Sequence, residues 1–119
     1  MKKLGTIDDL KNFIKENEIA LVAFLDMTKP DDVYFRDVLL SLERKAGYMI
    51  SFAVMNINEN SNAHKFIQRE FTTPLIMLYV KGVKAFEQEG CFGEFLSDIA
   101  ALKQGIKDVL KSKGYKTLF

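Results

Sequence analysis

Two prolines punctuate this chain, and each stands where an apolar run meets a different kind of segment. Pro30 lies in Met27-Thr28-Lys29-Pro30-Asp31, after the apolar run Ile19 to Leu25 and before a helix-like stretch. Pro74 lies in Thr72-Thr73-Pro74-Leu75, immediately before a second apolar run, Leu75 to Val80. Proline fixes its own φ and has no N–H, so it fits the first turn of a helix or the opening of a strand and little else. The chain therefore has to contain a strand that passes through a short turn into a helix, and a later strand opened by a proline.

The rest of the pattern fills in around these two points. Thr6-Ile7-Asp8-Asp9 resembles a capping box with aspartate in its last position, and Leu10, Phe13 and Ile14 then mark one helical face. Ile19 to Leu25 shows no alternation, as in a strand covered on both faces. From Pro30 to about Gly47, Phe35, Val38, Leu39, Leu42 and Ala46 follow one face of a helix, with Asp31 and Asp32 at its positive end. Met49 to Ile57 is a further strand. The polar break Asn58 to Asn62 leads to a helix carrying Ala63, Phe66, Ile67 and Phe71. Leu75 to Val80 and Val83 to Glu89 flank Lys81-Gly82, which reads as a hairpin turn. A last helix, from about Gly93 to Lys113, carries Leu96, Ile99, Leu102, Ile106, Val109 and Leu110, with Gly114 as its stop. The order is α-β-α-β-α-β-β-α: an α/β protein with a mixed sheet of about four strands and helices on both faces.

Composition limits the functions open to such a fold. At 119 residues the chain is read as a single domain, 1–119, with a core from about 6 to 110 and a short basic tail (Lys111, Lys113, Lys116) read as solvated and fraying. Its 17 basic and 16 acidic residues give a net charge of +1, so no long-range field draws it to nucleic acid or to an anionic membrane. No apolar run approaches the ~20 residues of a membrane span, and the polar Asp8-Asp9 cuts short any leader-like start, so the expectation is a cytoplasmic protein. Cys91 is the only cysteine, so neither an internal disulfide nor a Cys-x-x-Cys site is possible. With one histidine, His64, read as a solvent-facing helix residue, no metal is expected. No glycine-rich phosphate loop is present, and no cofactor is expected.

The element order and its punctuation resemble the thioredoxin superfamily from about Thr6 to Leu110. Thr73-Pro74 resembles the family's cis-proline loop. Gly82 and Gly90 follow that proline by eight and sixteen positions, as the hairpin and last-strand glycines of thioredoxins do. Asn56-Ile57-Asn58-Glu59-Asn60 is similar to the polar segment after the family's central strand. On this resemblance the family's two active-site cysteines fall at Thr28 and Asp31, its preceding tryptophan at Met27, and its buried proton-relaying acid at Val22. Disulfide exchange needs an attacking thiolate and a resolving thiol, and a hydroxyl and a carboxylate supply neither. Conventional oxidoreductase activity is therefore not expected.

Two readings stay open at each candidate position. Thr28-Lys29-Pro30-Asp31 is either a modified site at a helix N-terminus or a helix cap, with Thr28 or Lys29 entering the helix. Cys91 is either a small packing residue or a lone thiol able to form a mixed disulfide, for which Lys29 is the one evident activating cation. The leading expectation is a redox-inactive domain that binds a protein or peptide partner along the cis-proline edge. In it the Thr73 backbone offers strand-type hydrogen bonds, and Met27, Pro74, Cys91 and Phe92 offer apolar contacts. Thr28 and Asp31 complete the candidate binding set. The rivals are a monothiol or glutathione-linked role through Cys91, and a structural homodimer in place of a monomer.

Overall fold

The computed structural model describes residues 1–119. Nine elements follow in order: β1 (Lys2–Lys3), α1 (Ile7–Glu16), β2 (Ile19–Leu25), α2 (Pro30–Ala46), β3 (Ser51–Asn56), α3 (Ala63–Ile67), β4 (Leu75–Val80), β5 (Val83–Glu89) and α4 (Phe95–Ser112). They build one sheet in the order β1-β3-β2-β4-β5, with β1, β3 and β2 parallel and β4 and β5 antiparallel to their neighbours.

The unalternating β2 lies at the centre, and all seven of its residues are buried. Leu21, Ala23 and Leu25 face the core formed with α2 and α4, where Phe35, Val38, Leu39, Leu42, Leu102, Ile106 and Leu110 pack. Ala20, Val22 and Phe24 face the core under α1 and α3, with Leu10, Phe13, Ile14 and Ala63. Side chains that alternate across a strand thus serve two separate cores, and every position must be apolar. Thr6 caps α1 as its spacing implies, its hydroxyl accepting from the Asp9 N–H at 3.0 Å.

Four expectations need correction. The sheet has five strands rather than about four, because Lys2–Lys3 pairs in parallel with Ala53 and Val54. A two-residue strand of exposed lysines carries no apolar signal, and only its ladder reveals it. The helix after Asn62 ends at Ile67, where Gln68 takes the left-handed conformation (φ 63°), so Phe71 lies beyond it. Leu96 is not part of the buried stripe of α4, being 71% exposed. The C-terminal tail is docked rather than fraying. Phe119 is buried in the α2/α4 core, the Tyr115 hydroxyl donates to Glu18 at 2.6 Å, and the Leu118 N–H donates to the Tyr48 hydroxyl at 2.7 Å. Aromatic residues at the end of the chain thus extend the core past Leu110. No helix is long and apolar enough to cross a membrane.

Candidate functional site

Strand register gathers the candidate residues at one end of the sheet. Leu75 pairs with Phe24, so Pro74 lies at the same sheet end as the turn that follows Leu25. β3 ends there in the polar Asn56 segment, and β5 ends there in the Gly90–Gly93 loop. Loops at the carboxyl ends of the parallel strands are where α/β folds place their sites.

The turn from Asp26 to Lys29 is held by carboxylates. Asp26 Oδ1 accepts from the Thr28 N–H at 3.0 Å and the Thr28 hydroxyl at 2.5 Å, which holds the Asp26 carboxyl below the usual carboxylate range. Thr28 is therefore engaged with Asp26 and does not cap the helix. Lys29 is the N-cap and gives no side-chain bond. Asp32, fully buried in the first turn, reaches back to accept from the Asp26 N–H at 2.6 Å, and its other oxygen has no partner. Asp31 is exposed. A helix start carrying Asp26, Asp31 and Asp32 has no preference for an anionic ligand.

The facing loop is fixed by a residue that the sequence gives no reason to single out. Asp98, fully buried in the first turns of α4, accepts from the Phe92 N–H at 2.7 Å, the Gly93 N–H at 3.0 Å and the Tyr34 hydroxyl at 2.6 Å. It ties the Gly90–Gly93 loop, α4 and α2 together. The Tyr34 hydroxyl titrates well above the ordinary tyrosine range, first because of its desolvation and then because it donates to Asp98. Gly90, at φ 82°, donates its N–H to the Pro74 carbonyl at 2.8 Å and so joins this loop to the Thr73–Pro74 segment, whose peptide bond is cis. A second latch holds the preceding residues. Arg69 forks onto Glu87 and Glu89 at 2.8 and 3.0 Å, and Glu89 accepts from the N–H and hydroxyl of Thr72.

Within this frame the candidate residues divide. Cys91 and Phe92 line one cleft of about 310 Å³ with Gln88, Gly90, Asp98 and Ala101. Met27 lies elsewhere, half-buried against the α2/α4 core and lining a smaller cleft of about 160 Å³ with Lys3, Arg36, Val54 and Asn56. Pro74 is buried, so what this segment exposes is Thr72 and part of Thr73. Phe92 is 75% exposed, and Leu96, on the first turn of α4, is exposed as well. Thr73 lies outside any strand, its backbone makes no hydrogen bond within the chain, and its hydroxyl is buried without a partner.

The chemistry of Cys91 follows from its neighbours. Burial raises its thiol pKa, and the carboxylates of Asp98, Asp31 and Asp32 raise it further, against one opposing hydrogen bond from the Gly93 backbone. The charges that dominate there are negative, not the ammonium of Lys29. Val22, where the resemblance places a proton-relaying acid, is fully buried among apolar side chains. No three histidine, cysteine or acidic side chains come together as a metal-ligand set.

Solved structures that superpose on this chain include thioredoxins. Mitochondrial thioredoxin 3 of Saccharomyces cerevisiae in its oxidised form superposes with a TM-score of 0.74 at 21% identity, over 91% of this chain and 94% of that one. Plasmodium falciparum thioredoxin gives 0.76 at 17% identity over 91% and 98%, and oxidised thioredoxin O2 of Arabidopsis thaliana gives 0.73 at 18% over 90% and 91%. The sequence matches no protein-family model and no curated protein. The chain has the thioredoxin fold, with a single cysteine and with Thr28 and Asp31 at the two positions flanking Lys29-Pro30.

Proposed function

We propose that this chain is a binding module that holds an extended protein segment along the Thr72–Thr73 edge and carries out no thiol–disulfide exchange. The observation that carries this reading is the state of Thr73: its N–H and C=O are unpaired, at the same sheet end as the loop that carries the exposed ring of Phe92. An extended peptide laid against this backbone would complete its hydrogen bonds, with Phe92 and Leu96 supplying apolar contact. A patch of this size suits weak or transient association.

Thr28 and Asp31 offer no attacking or resolving thiol, and a thiol surrounded by carboxylates is a poor nucleophile at neutral pH. Both facts weigh against the monothiol reading of Cys91. The test joins activity to binding. The purified chain is expected not to accelerate the reduction of insulin by dithiothreitol above the uncatalysed rate. In a screen of immobilised extended peptides, those it retains should perturb the amide resonances of Thr73, Phe92 and Leu96, and Phe92→Asp should abolish retention. Catalysed insulin reduction, or retention unaffected by Phe92→Asp, overturns the reading. Concentration-dependent sedimentation abolished by the same substitution would assign the patch to a homodimer instead.

A further inference from the structure

A second surface, on the opposite face of the sheet from the α2/α4 core, has no part in that reading. Two adjoining clefts of about 570 and 360 Å³ run between α1, α3 and the β4–β5 turn, and they share Lys11 and Phe66 as lining residues. The first also takes Lys65 into its wall, and the second takes Lys15 and Lys81. The floor is apolar, made of half-buried Phe66 with Ile14 and Tyr79. No aspartate or glutamate lines either cleft.

Four exposed ammonium groups thus share one groove in a chain whose net charge is only +1. The chain's ion pairs engage Met1, Lys3, Arg69 and Lys84, and none engages Lys11, Lys15, Lys65 or Lys81. Their side chains make no hydrogen bond either. Lys11 and Lys15 stand four residues apart on α1, a spacing at which like charges repel and weaken the helix. The only two non-glycine residues of the chain with positive φ, Gln68 at 63° and Lys81 at 51°, both line the groove. Lysine at a hairpin position that asparagine or glycine fills with less strain carries its charge to the rim at a local cost. Like-charge crowding and positive-φ backbone thus coincide along this groove.

We propose that this groove docks an acidic segment of a protein partner, its carboxylates meeting the four lysines and an apolar side chain resting on Phe66. The apolar floor and the absence of arginine favour a peptide over nucleic acid. The floor offers one half-buried phenylalanine, Phe66, packed against Phe24 with centroids 6.5 Å apart, and not the row of aromatic rings on which successive bases stack. The rim favours carboxylates because unpaired surface cations within a Debye length of one another raise the local potential for an anion.

The probe is a fluorescein-labelled peptide of alternating glutamate and leucine, measured by anisotropy against the whole chain. Controls are the same peptide with glutamine for glutamate and an oligothymidylate of equal charge. Binding of the acidic peptide is expected to weaken by about tenfold between ~0.05 and ~0.2 M salt. It should weaken at least as much in Lys11→Glu/Lys65→Glu, while Lys45→Glu on α2 leaves it unchanged. Amide shifts should map to α1, α3 and Lys81. The charge-neutral pair Lys11→Gln/Lys65→Gln, with an intermediate loss, separates charge complementarity from misfolding. No binding at millimolar peptide, equal binding of the glutamine peptide, tighter binding of the oligothymidylate, or shifts confined to Thr73 and Phe92 would each overturn the proposal. The last outcome would leave the Thr73 edge reading standing.

Discussion

At the scale of single residues, Asp98 matters most. One buried carboxylate accepts three hydrogen bonds from two different segments, and two of its donors are backbone amides with no other partner. Asp98→Ala is expected to destabilise the chain by about 2–4 kcal/mol in urea denaturation, because it removes three hydrogen bonds made to one buried carboxylate. Tyr34→Phe, which removes one of three donors, should cost about 1 kcal/mol. The same carboxylates govern Cys91. Its thiol should react with iodoacetamide along a pH profile displaced upward from that of a free thiol. Asp31→Asn, which removes a negative charge from an exposed position, should move the profile back down. A profile that does not respond would mean that Asp31 has no part in setting the thiol.

At the scale of elements, the packing of α4 on β5 depends on Gly105. A β-carbon there would lie 2.4 and 2.6 Å from the ring edge of Phe86, so the helix approaches the strand at a distance that only glycine permits. Alanine is the better helix former by up to about 1 kcal/mol, yet overpacking against a ring costs about 1–3 kcal/mol, and the second effect is expected to win. Gly105→Ala should therefore lower the melting temperature. In a Phe86→Leu background, where the ring edge is gone, the same substitution should be neutral or stabilising. Cα periodicity alone presents Gly105 as a mild flaw in a helix. The reason for it is a strand nineteen positions earlier.

At the scale of the whole molecule, stability against pH has two edges. Asp26, Glu89 and Glu94 are held below their ordinary values of 3.8 and 4.5 by hydrogen bonds: Asp26 from Thr28, Glu89 from Thr72 and then Arg69, Glu94 from Ser97. A depressed carboxyl contributes stability that is present above its unfolded pKa and is lost as pH falls through its folded one. Tyr34, Tyr79 and Tyr115 are shifted upward from 10.0, Tyr79 to about 12 by burial. Their contribution is complete below pH 10 and declines as pH rises through the folded values. Urea midpoints should accordingly be flat between pH 5 and 9 (to the nearest unit or so) and fall on either side. A maximum at acid pH would contradict this.

Much of the architecture was legible along the chain because it is written in short-range pattern. The unalternating β2, the Pro30 helix start, the Lys81-Gly82 turn and the buried stripes of α2 and α4 are each set by the period and stiffness of neighbouring residues. The same reading set Met27, Thr73, Pro74, Cys91 and Phe92 at one edge; the structure buries Pro74 and puts Met27 in a cleft separate from that of Cys91 and Phe92. It missed Asp98, Tyr34, Arg69 and Glu89, since a carboxylate meeting a tyrosine sixty-four positions away leaves no mark in local periodicity.

Sequence by itself determined every element but the short β1, the two-sided burial of the central strand and the lack of a second thiol, because backbone preference, side-chain period and residue identity are local properties. Only the tertiary structure decided that Cys91 sits among carboxylates, that Thr73 keeps its backbone unpaired and that four lysines share one groove. Each of those depends on which distant segments meet, and charge and hydrogen bonding act through space rather than along the chain.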